Sequence, residues 1–233
     1  MNRFTLSSIF TLSLAFSLQA QPLDVFDVHF AVITKNPKAQ RRATLEQLHK
    51  EVEILNEYFV SEQGEAIVRF RFKAAHFYDE VRDSPCRFVD LGDSTEKYDS
   101  DGWAKMFNKC HDPKVRDPYA INFYVYDSYS PGKGFADKKG HGKRNSNRPY
   151  ILIDWKRLNH TSQSPEEHEM GHAFGLQHVC VPGATRQTST NIMASSECDN
   201  GSGGLRDIGF SAKQVKTILE YSKKIERKLE RGE

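Results

Sequence analysis

The spacing of apolar residues changes twice in the first part of the chain, and each change marks a different predicted element. Residues 25–34 are rich in β-branched and aromatic side chains, which predicts a first strand. Across residues 39–59 the apolar positions recur every three or four residues, which predicts one long helix with an apolar face. Alternation over residues 66–74 predicts a second strand. A strand, a helix and a strand in this order indicate a right-handed crossover and a largely parallel sheet.

Two further runs of apolar residues, at 119–126 and 150–154, predict two more strands. Residues 77–118 show no clear period, so we expect an irregular segment with a short helix near residues 103–108. No glycine-rich phosphate turn follows the first strand, and the sequence therefore gives no support for a nucleotide-binding fold.

Capping signals predict where two more helices begin. Serine at position 164, proline at 165 and glutamate at 167 form a capping box with the favoured proline at the first helical position. A last helix is expected over residues 212–229, with Ser211 and Gln214 as its capping box. Its predicted buried stripe consists of Val215, Ile218, Leu219, Ser222, Ile225 and Leu229.

The composition is that of a soluble globular protein. The chain has 233 residues, of which 38% are hydrophobic and 27% are charged. We therefore expect a single domain over residues 21–233, large enough to bury a core without help from metals or disulfides. The formal net charge of +2 is small and argues neither for nor against a nucleic-acid partner, and we expect none. We expect the domain to be a monomer.

The first twenty residues have the features of an export signal. Arg3 supplies a positive start, residues 9–18 form a short apolar run, and Ala20 is a small residue before a cut at Gln21. The run is shorter than the roughly 20 residues of a membrane-spanning helix. We therefore expect residues 1–20 to be a signal peptide and the mature chain to be secreted or periplasmic, without a membrane span. A retained membrane anchor is the alternative interpretation.

The four cysteines of an exported chain predict disulfides. Three pairings are possible, and the sequence alone does not choose between them. We expect Cys86 to pair with Cys110 and Cys180 with Cys198, because each of these bonds closes a local loop. A cysteine-rich metal site is the alternative, but the chain lacks the close Cys-x-x-Cys pair that such sites use.

Two charged segments each allow two interpretations. Oxygen ligands that suit Ca²⁺ are offered by Asp93, Glu96, Asp99 and Asp101. Their spacing matches no EF-hand loop, so a solvated acidic loop is the preferred interpretation. Residues 131–149 carry six lysine or arginine residues against one acidic residue. This basic segment either steers acidic substrates or is a solvated loop, and we prefer the second interpretation.

Three histidines and a glutamate follow the first capping box at spacings that suit zinc chemistry. His168 and His172 are four residues apart, so they share one face of the predicted helix and can share one Zn²⁺. Gly175 can end the helix in a left-handed conformation and let the chain return, so that His178 supplies a third ligand. Glu169 is not needed as a ligand and is free to act on a water molecule. Three protein ligands leave the fourth zinc position open, as in catalytic sites.

The stretch from His168 to His178 resembles the signature His-Glu-x-x-His-x-x-Gly-x-x-His of the metzincin metallopeptidases. The resemblance implies an α/β catalytic domain with a mixed, mostly parallel twisted sheet, a long backing helix, an active-site helix and a C-terminal helix. It also implies that Met193 is the methionine of a turn beneath the metal. The segments Asn191-Ile192-Met193 and Phe210-Ser211-Ala212-Lys213-Gln214 are similar to those of pappalysin-like members.

Three features depart from the pattern of many metzincins. Ser195 stands where some members have a tyrosine ligand, so we expect no further ligand there. Few residues separate the predicted signal from the first strand, and no prodomain is expected. No cysteine precedes the predicted catalytic domain, so we expect no thiol latch on the zinc. The segment Gly134-Phe135-Ala136 resembles the edge strand that lines the substrate cleft in this family.

The residues and the resemblance together predict a secreted zinc-dependent endopeptidase that hydrolyses proteins or peptides, with Glu169 as its general base. A secreted zinc-containing binding or toxin-like module without turnover is the alternative, and a zinc hydrolase of other substrates is a third hypothesis. Glu169 favours an enzyme, because a purely structural zinc site needs no base.

Overall fold

A five-stranded mixed sheet forms the centre of the structure. The structure is a computed structural model, and it describes residues 22–86, 109–127, 129–130, 134–135, 140–142, 150–159, 165–196 and 200–232. In spatial order the strands of the sheet are β2 (Arg69–His76), β1 (Val25–Val32), β3 (Ile121–Tyr126), β7 (Tyr150–Asp154) and β6 (Gly140–Gly142). The first four run parallel, and β6 is antiparallel to β7. A separate antiparallel pair is formed by β4 (Tyr129–Ser130) and β5 (Gly134–Phe135). The predicted α/β class with a mostly parallel sheet is confirmed.

Both faces of the sheet are covered, which explains why every residue of β3 and β7 is buried. Phenylalanines from β1, β2 and β3 cluster on one face with apolar side chains of three helices. These helices are α2 (Leu45–Tyr58), α4 (Pro165–Ala173) and α5 (Ala212–Arg231). This packing fixes α4, the helix that carries two of the candidate zinc ligands, against the sheet.

The opposite face of the sheet is covered by a short helix, α3 (Tyr78–Val81), and by the chain around residues 110–115. Side chains of Tyr124, Tyr126 and Tyr150 fill this second cluster. The disulfide between Cys86 and Cys110 lies at its edge and confirms the first predicted pair.

Several predictions fall on parts of the chain outside the described residues. Cys180 is disulfide-bonded, but Cys198, its predicted partner, lies outside them, so that pair stays a prediction. The signal segment, the acidic residues considered for Ca²⁺ and the predicted helix near residues 103–108 are also outside. Calcium binding therefore gains no support.

The prediction of one long helix over residues 39–59 is wrong, because two capped helices occupy this stretch. The first is α1 (Pro37–Arg42), and its N-cap Asn36 accepts a hydrogen bond from the Lys38 N–H. A new start follows at Thr44, whose side chain accepts from the Gln47 N–H at 3.2 Å and caps α2. Threonine bonds readily to a nearby backbone N–H, and this competes with continuation of the helix.

The second predicted strand begins later than its alternation indicates. Ala66 pairs back with Val60 in an isolated antiparallel bridge, and the strand itself is β2, from Arg69 to His76. The alternating pattern therefore includes a residue of the turn that precedes the strand.

The last helix begins where predicted, and Ser211 and Gln214 form the capping box. It extends two residues further than predicted, to Arg231, and ends on Gly232 in a left-handed conformation with φ of 64°. Leu219 is 44% exposed, so its assignment to the buried stripe is wrong. Among the described residues, no helix is long and apolar enough to cross a membrane.

The buried histidine of β1 predicts a pH dependence of stability. His29 is 1% exposed, and burial lowers its pKa from 6.5 to about 4. Between these values the unfolded chain binds more protons than the folded protein, so the free energy of unfolding falls as the pH drops. We expect this loss to reach about 3 kcal/mol and to disappear in His29→Leu. Urea unfolding from pH 7 to pH 4 measures it.

The comparison between wild type and variant isolates His29, because the other titrating groups are common to both proteins. His111→Leu is the matched control, since His111 is exposed. Parallel pH profiles for wild type and His29→Leu would contradict this prediction.

Candidate metal site

Helix α4 ends in a turn that reverses the chain directly after two histidines. Gly175 adopts φ of 87°, a left-handed conformation that glycine enters without steric cost. The Leu176 N–H donates to the Gly171 carbonyl at 2.9 Å, and the Gly175 N–H donates to the His172 carbonyl at 3.0 Å. These two bonds are those of a Schellman motif. The reversal returns the chain so that His178 lies beside the helix, as the sequence predicts.

The structure brings the three predicted zinc ligands together. One nitrogen of each ring, from His168, His172 and His178, lies within 4.8 Å of the others. The Nε2 atoms of His172 and His178 are 3.0 Å apart. His168 and His172 are buried in the helix face, whereas His178 is exposed. The cluster is thus held by the core on one side and faces solvent on the other.

Backbone carbonyls hold two of the rings in a fixed tautomer. Nδ1 of His168 donates to the Ile192 carbonyl at 2.7 Å, and Nδ1 of His172 donates to the Leu176 carbonyl at 2.8 Å. With the proton on Nδ1, the lone pair of Nε2 is available to a metal. Burial and the nearby charge of Arg206 lower the pKa of His168 well below 6.5, which keeps this ring neutral.

The donor set fits Zn²⁺. Two nitrogens that each lie about 2.0–2.1 Å from a tetrahedral zinc are roughly 3.3 Å apart, close to the separation between His172 and His178. Neutral imidazole is a preferred zinc ligand, and three of them leave one position open. Among the described residues, this is the one group of histidine, cysteine and acidic side chains close enough to hold a metal.

Met193 lies in a buried turn directly beneath α4. The Met193 N–H donates to Asn191 Oδ1 at 3.0 Å, and the Ala194 N–H donates to the Asn191 carbonyl at 2.8 Å. A Cβ added to Gly171 would lie 2.4 Å from Met193 Sδ, so the sulfur packs onto the helix between the two histidines. The Asn191 side chain also bonds to Gln214 at the start of α5. This turn therefore supports the floor of the histidine cluster.

Glu169 follows the first ligand and is the only one of the three glutamates of α4 that is not fully buried. Glu166 and Glu167 are 0% exposed, whereas Glu169 is half-buried. Its carboxylate interacts electrostatically with Arg206. Glu169 is therefore partly accessible to solvent, and its role as general base stays a prediction.

Arg206 is a site residue that the sequence did not reveal. Its Nε donates to the Ala194 carbonyl at 2.7 Å, and its charge acts on both His168 and Glu169. A single arginine in a glycine-rich loop belongs to no recognisable sequence motif. Its position beside the histidines depends on contacts with residues that are distant in sequence.

Three buried carboxyl groups behind the metal ligands are a second feature that the sequence did not reveal. Glu51 of α2 lies against Glu166 and Glu167 in the first turn of α4. Burial and mutual repulsion raise the pKa of Glu166 well above its ordinary value, and burial raises that of Glu167 to about 8. Protonated carboxyls tolerate an apolar site better than charged ones. Glu166 and Glu167 are therefore poorly suited to act as the base at neutral pH.

The edge of the sheet is not formed by the predicted residues. Gly134 and Phe135 form β5, which pairs with β4 outside the main sheet, and Ala136 lies outside the described residues. The edge strand is β6, which pairs with β7 and packs against α4. The prediction of Gly134–Phe135 as the edge strand is thus wrong. The assignment of Gly134, Phe135 and Ala136 to a substrate cleft stays a prediction.

The likeness of this chain to known proteins is structural. No family model matches the chain, and no curated protein matches it. Among solved structures, the chain is similar to archaemetzincin from Archaeoglobus fulgidus, complexed with malonate. The likeness has a TM-score of 0.40 at 12% sequence identity and covers 82% of this chain and 99% of that chain. The finer resemblance to pappalysin-like members stays a prediction.

Proposed function

We propose that the chain is an exported zinc-dependent endopeptidase. The observation that carries this proposal is the convergence of His168, His172 and His178, with two of the rings oriented by backbone carbonyls. A half-buried carboxylate stands on the same helix, one residue after the first ligand. Ligands, an open position and a carboxylate are together the parts that metal-assisted hydrolysis requires.

Each residue of the site has a distinct task in this proposal. The three histidines would hold Zn²⁺, which when bound would supply Lewis acidity toward a peptide carbonyl and lower the pKa of water. Glu169 takes a proton from the attacking water and passes it to the leaving amine. Met193 packs beneath the histidines and takes no chemical part. An extended substrate would pair through its backbone with the edge of the sheet at β6.

Export is part of the same proposal. The disulfide between Cys86 and Cys110 supports an oxidising compartment, because such bonds are rare in the cytosol. The apolar segment at residues 9–18 supports a cleaved signal. Amino-terminal sequencing of the secreted protein tests this point, and we expect the mature chain to begin near Gln21.

Cleavage of denatured casein by the zinc-loaded protein tests the activity. We expect cleavage to stop when a chelator removes the metal and to return when stoichiometric Zn²⁺ is added. The experiment also decides between the two classes of function. A protein that binds zinc stoichiometrically but cleaves neither casein nor a proteome-derived peptide library would be the binding module instead.

A further inference from the structure

Arg206 has a strained backbone that the surrounding loop holds in place. Its φ of 54° is left-handed, a region that is sterically unfavourable for residues other than glycine. The hydroxyl of Thr190 accepts from the Arg206 N–H at 3.1 Å and donates to the Gly203 carbonyl at 2.6 Å. Strain of this kind is found preferentially at functional sites, where the side chain must be placed accurately.

The guanidinium of Arg206 is fixed along one edge. Nε donates to the carbonyl of Ala194, the residue after Met193. The group also lies flat on Gly203, because a Cβ added there would meet Nη2 at 2.9 Å and Nε at 3.0 Å. Glycine at position 203 is therefore needed for this placement. The anchored edge leaves the terminal nitrogens, Nη1 and Nη2, as the free end of the group.

The terminal nitrogens have no protein partner in the described part of the chain. No described residue accepts a hydrogen bond from Nη1 or Nη2, and no described carboxylate forms an ion pair with Arg206. Arginine frequently forms two parallel hydrogen bonds to one carboxylate. In Arg206 the N–H groups that would form them, on Nη1 and Nη2, have no acceptor among the described residues. A half-buried guanidinium in this state can bind a ligand that supplies a hydrogen-bond acceptor.

The charges near Arg206 add to a positive site. Among the described residues, Glu169 is the carboxylate that acts on Arg206, and Arg157 is a second cation nearby. Bound Zn²⁺ would add further positive charge. The positive charges of Arg206, Arg157 and a bound metal together favour a ligand of negative charge.

We propose that Arg206 selects substrates that carry a carboxylate beside the scissile bond, by pairing its Nη1 and Nη2 with the two carboxylate oxygens. The inference rests on the proposed peptidase function. The carboxylate belongs either to an aspartate or glutamate side chain or to the free C-terminus of a peptide. Both sources offer the same planar pair of oxygens to the guanidinium.

Matched peptide pairs test the selection. One set of quenched peptides differs by glutamate or glutamine at each position flanking the cleaved bond, and a second set ends in a free carboxylate or in an amide. We expect wild type to prefer one carboxylate peptide over its neutral partner by at least about tenfold in kcat/KM, as a charge-assisted hydrogen bond implies. The first set identifies a side chain as the source and the second a C-terminus.

Four variants test whether Arg206 causes the preference. We expect Arg206→Gln to bring the ratio of kcat/KM between the carboxylate peptide and its neutral partner close to one. We expect Arg206→Lys to keep part of the preference for the carboxylate peptide. Gly203→Ala should also lower the ratio, because its Cβ displaces the guanidinium without removing the charge. Arg186→Gln is the control, since Arg186 is an exposed arginine of the same loop region. Zinc content and thermal unfolding establish that each variant is folded.

A binding measurement separates this inference from the proposed function. The same peptide pairs are titrated calorimetrically into zinc-loaded Glu169→Gln, with and without Arg206→Gln. A carboxylate preference that depends on Arg206 supports the inference even if wild type cleaves no peptide. Equal binding of both partners by the protein with Arg206 would overturn it. A uniform loss of kcat on every peptide in Arg206→Gln, with the ratio unchanged, would also overturn it.

Discussion

We expect Glu169→Gln to lower kcat/KM for peptide cleavage by about two to four orders of magnitude, while zinc still binds. The amide keeps the shape of the side chain but cannot accept a proton from water. His168 and His172 point from the same helix, and their orienting bonds come from the Ile192 and Leu176 carbonyls. None of these contacts involves Glu169, so the metal site should remain. Metal analysis and steady-state kinetics on a quenched peptide measure both quantities.

Glu220→Gln is a suitable control for this variant. Glu220 is an exposed residue of α5, so its replacement removes one negative charge without touching the histidines. We expect this control to keep wild-type activity and zinc content. Wild-type cleavage by Glu169→Gln would refute the role of Glu169 as general base. Loss of zinc together with activity would instead assign Glu169 a structural part in the metal site.

The helix that carries the first two histidines follows from local sequence. The four-residue spacing of His168 and His172 places both rings on one face, because a helix repeats every 3.6 residues. The third histidine is also predictable, since Gly175 permits the reversal that the Schellman bonds then show. These contacts span few residues along the chain, which is why local patterns are sufficient to predict them.

Features that depend on distant contacts were not predictable. Arg206 reaches the histidine cluster through the Ala194 carbonyl and the loop at Thr190, and no local pattern contains these partners. Glu51 is charged, which by residue type favours exposure, yet it is 1% exposed because α4 packs on it. Leu219 has the spacing of a core residue but is exposed. Tertiary packing decides such positions.

Local capping can also override a longer periodicity. The apolar positions of residues 39–59 continue across the break between α1 and α2, so the pattern alone predicts one helix. The hydroxyl of Thr44 caps the second helix, and the buried Ala43 marks the break. The spacing of buried positions continues from Ala39 of α1 to the apolar face of α2. Periodicity reports which positions are buried and does not report whether the helical backbone is continuous.

Gly175→Val should abolish stoichiometric zinc binding and peptide cleavage. Valine at φ of 87° is a backbone outlier that costs about 1–3 kcal/mol. Its Cβ would also lie 2.6–2.8 Å from ring atoms of Tyr221, so the turn must move. The moving turn carries both the Leu176 carbonyl that orients His172 and the chain that leads to His178. Isothermal titration of the metal-free protein with Zn²⁺ measures the loss.

Gly64→Val separates backbone strain from displacement of the metal ligands. Gly64 has a similar φ of 80°, but no atom lies within 4 Å of a Cβ placed there, and the residue is distant in sequence from the histidines. We expect this variant to lose stability by about 1–3 kcal/mol and to bind zinc normally. Tyr221→Ala combined with Gly175→Val removes the ring overlap but leaves the strain, so we expect it to recover zinc binding only in part. Normal zinc affinity in Gly175→Val itself would show that His178 reaches the metal without the left-handed turn, and the role assigned to Gly175 would then be wrong.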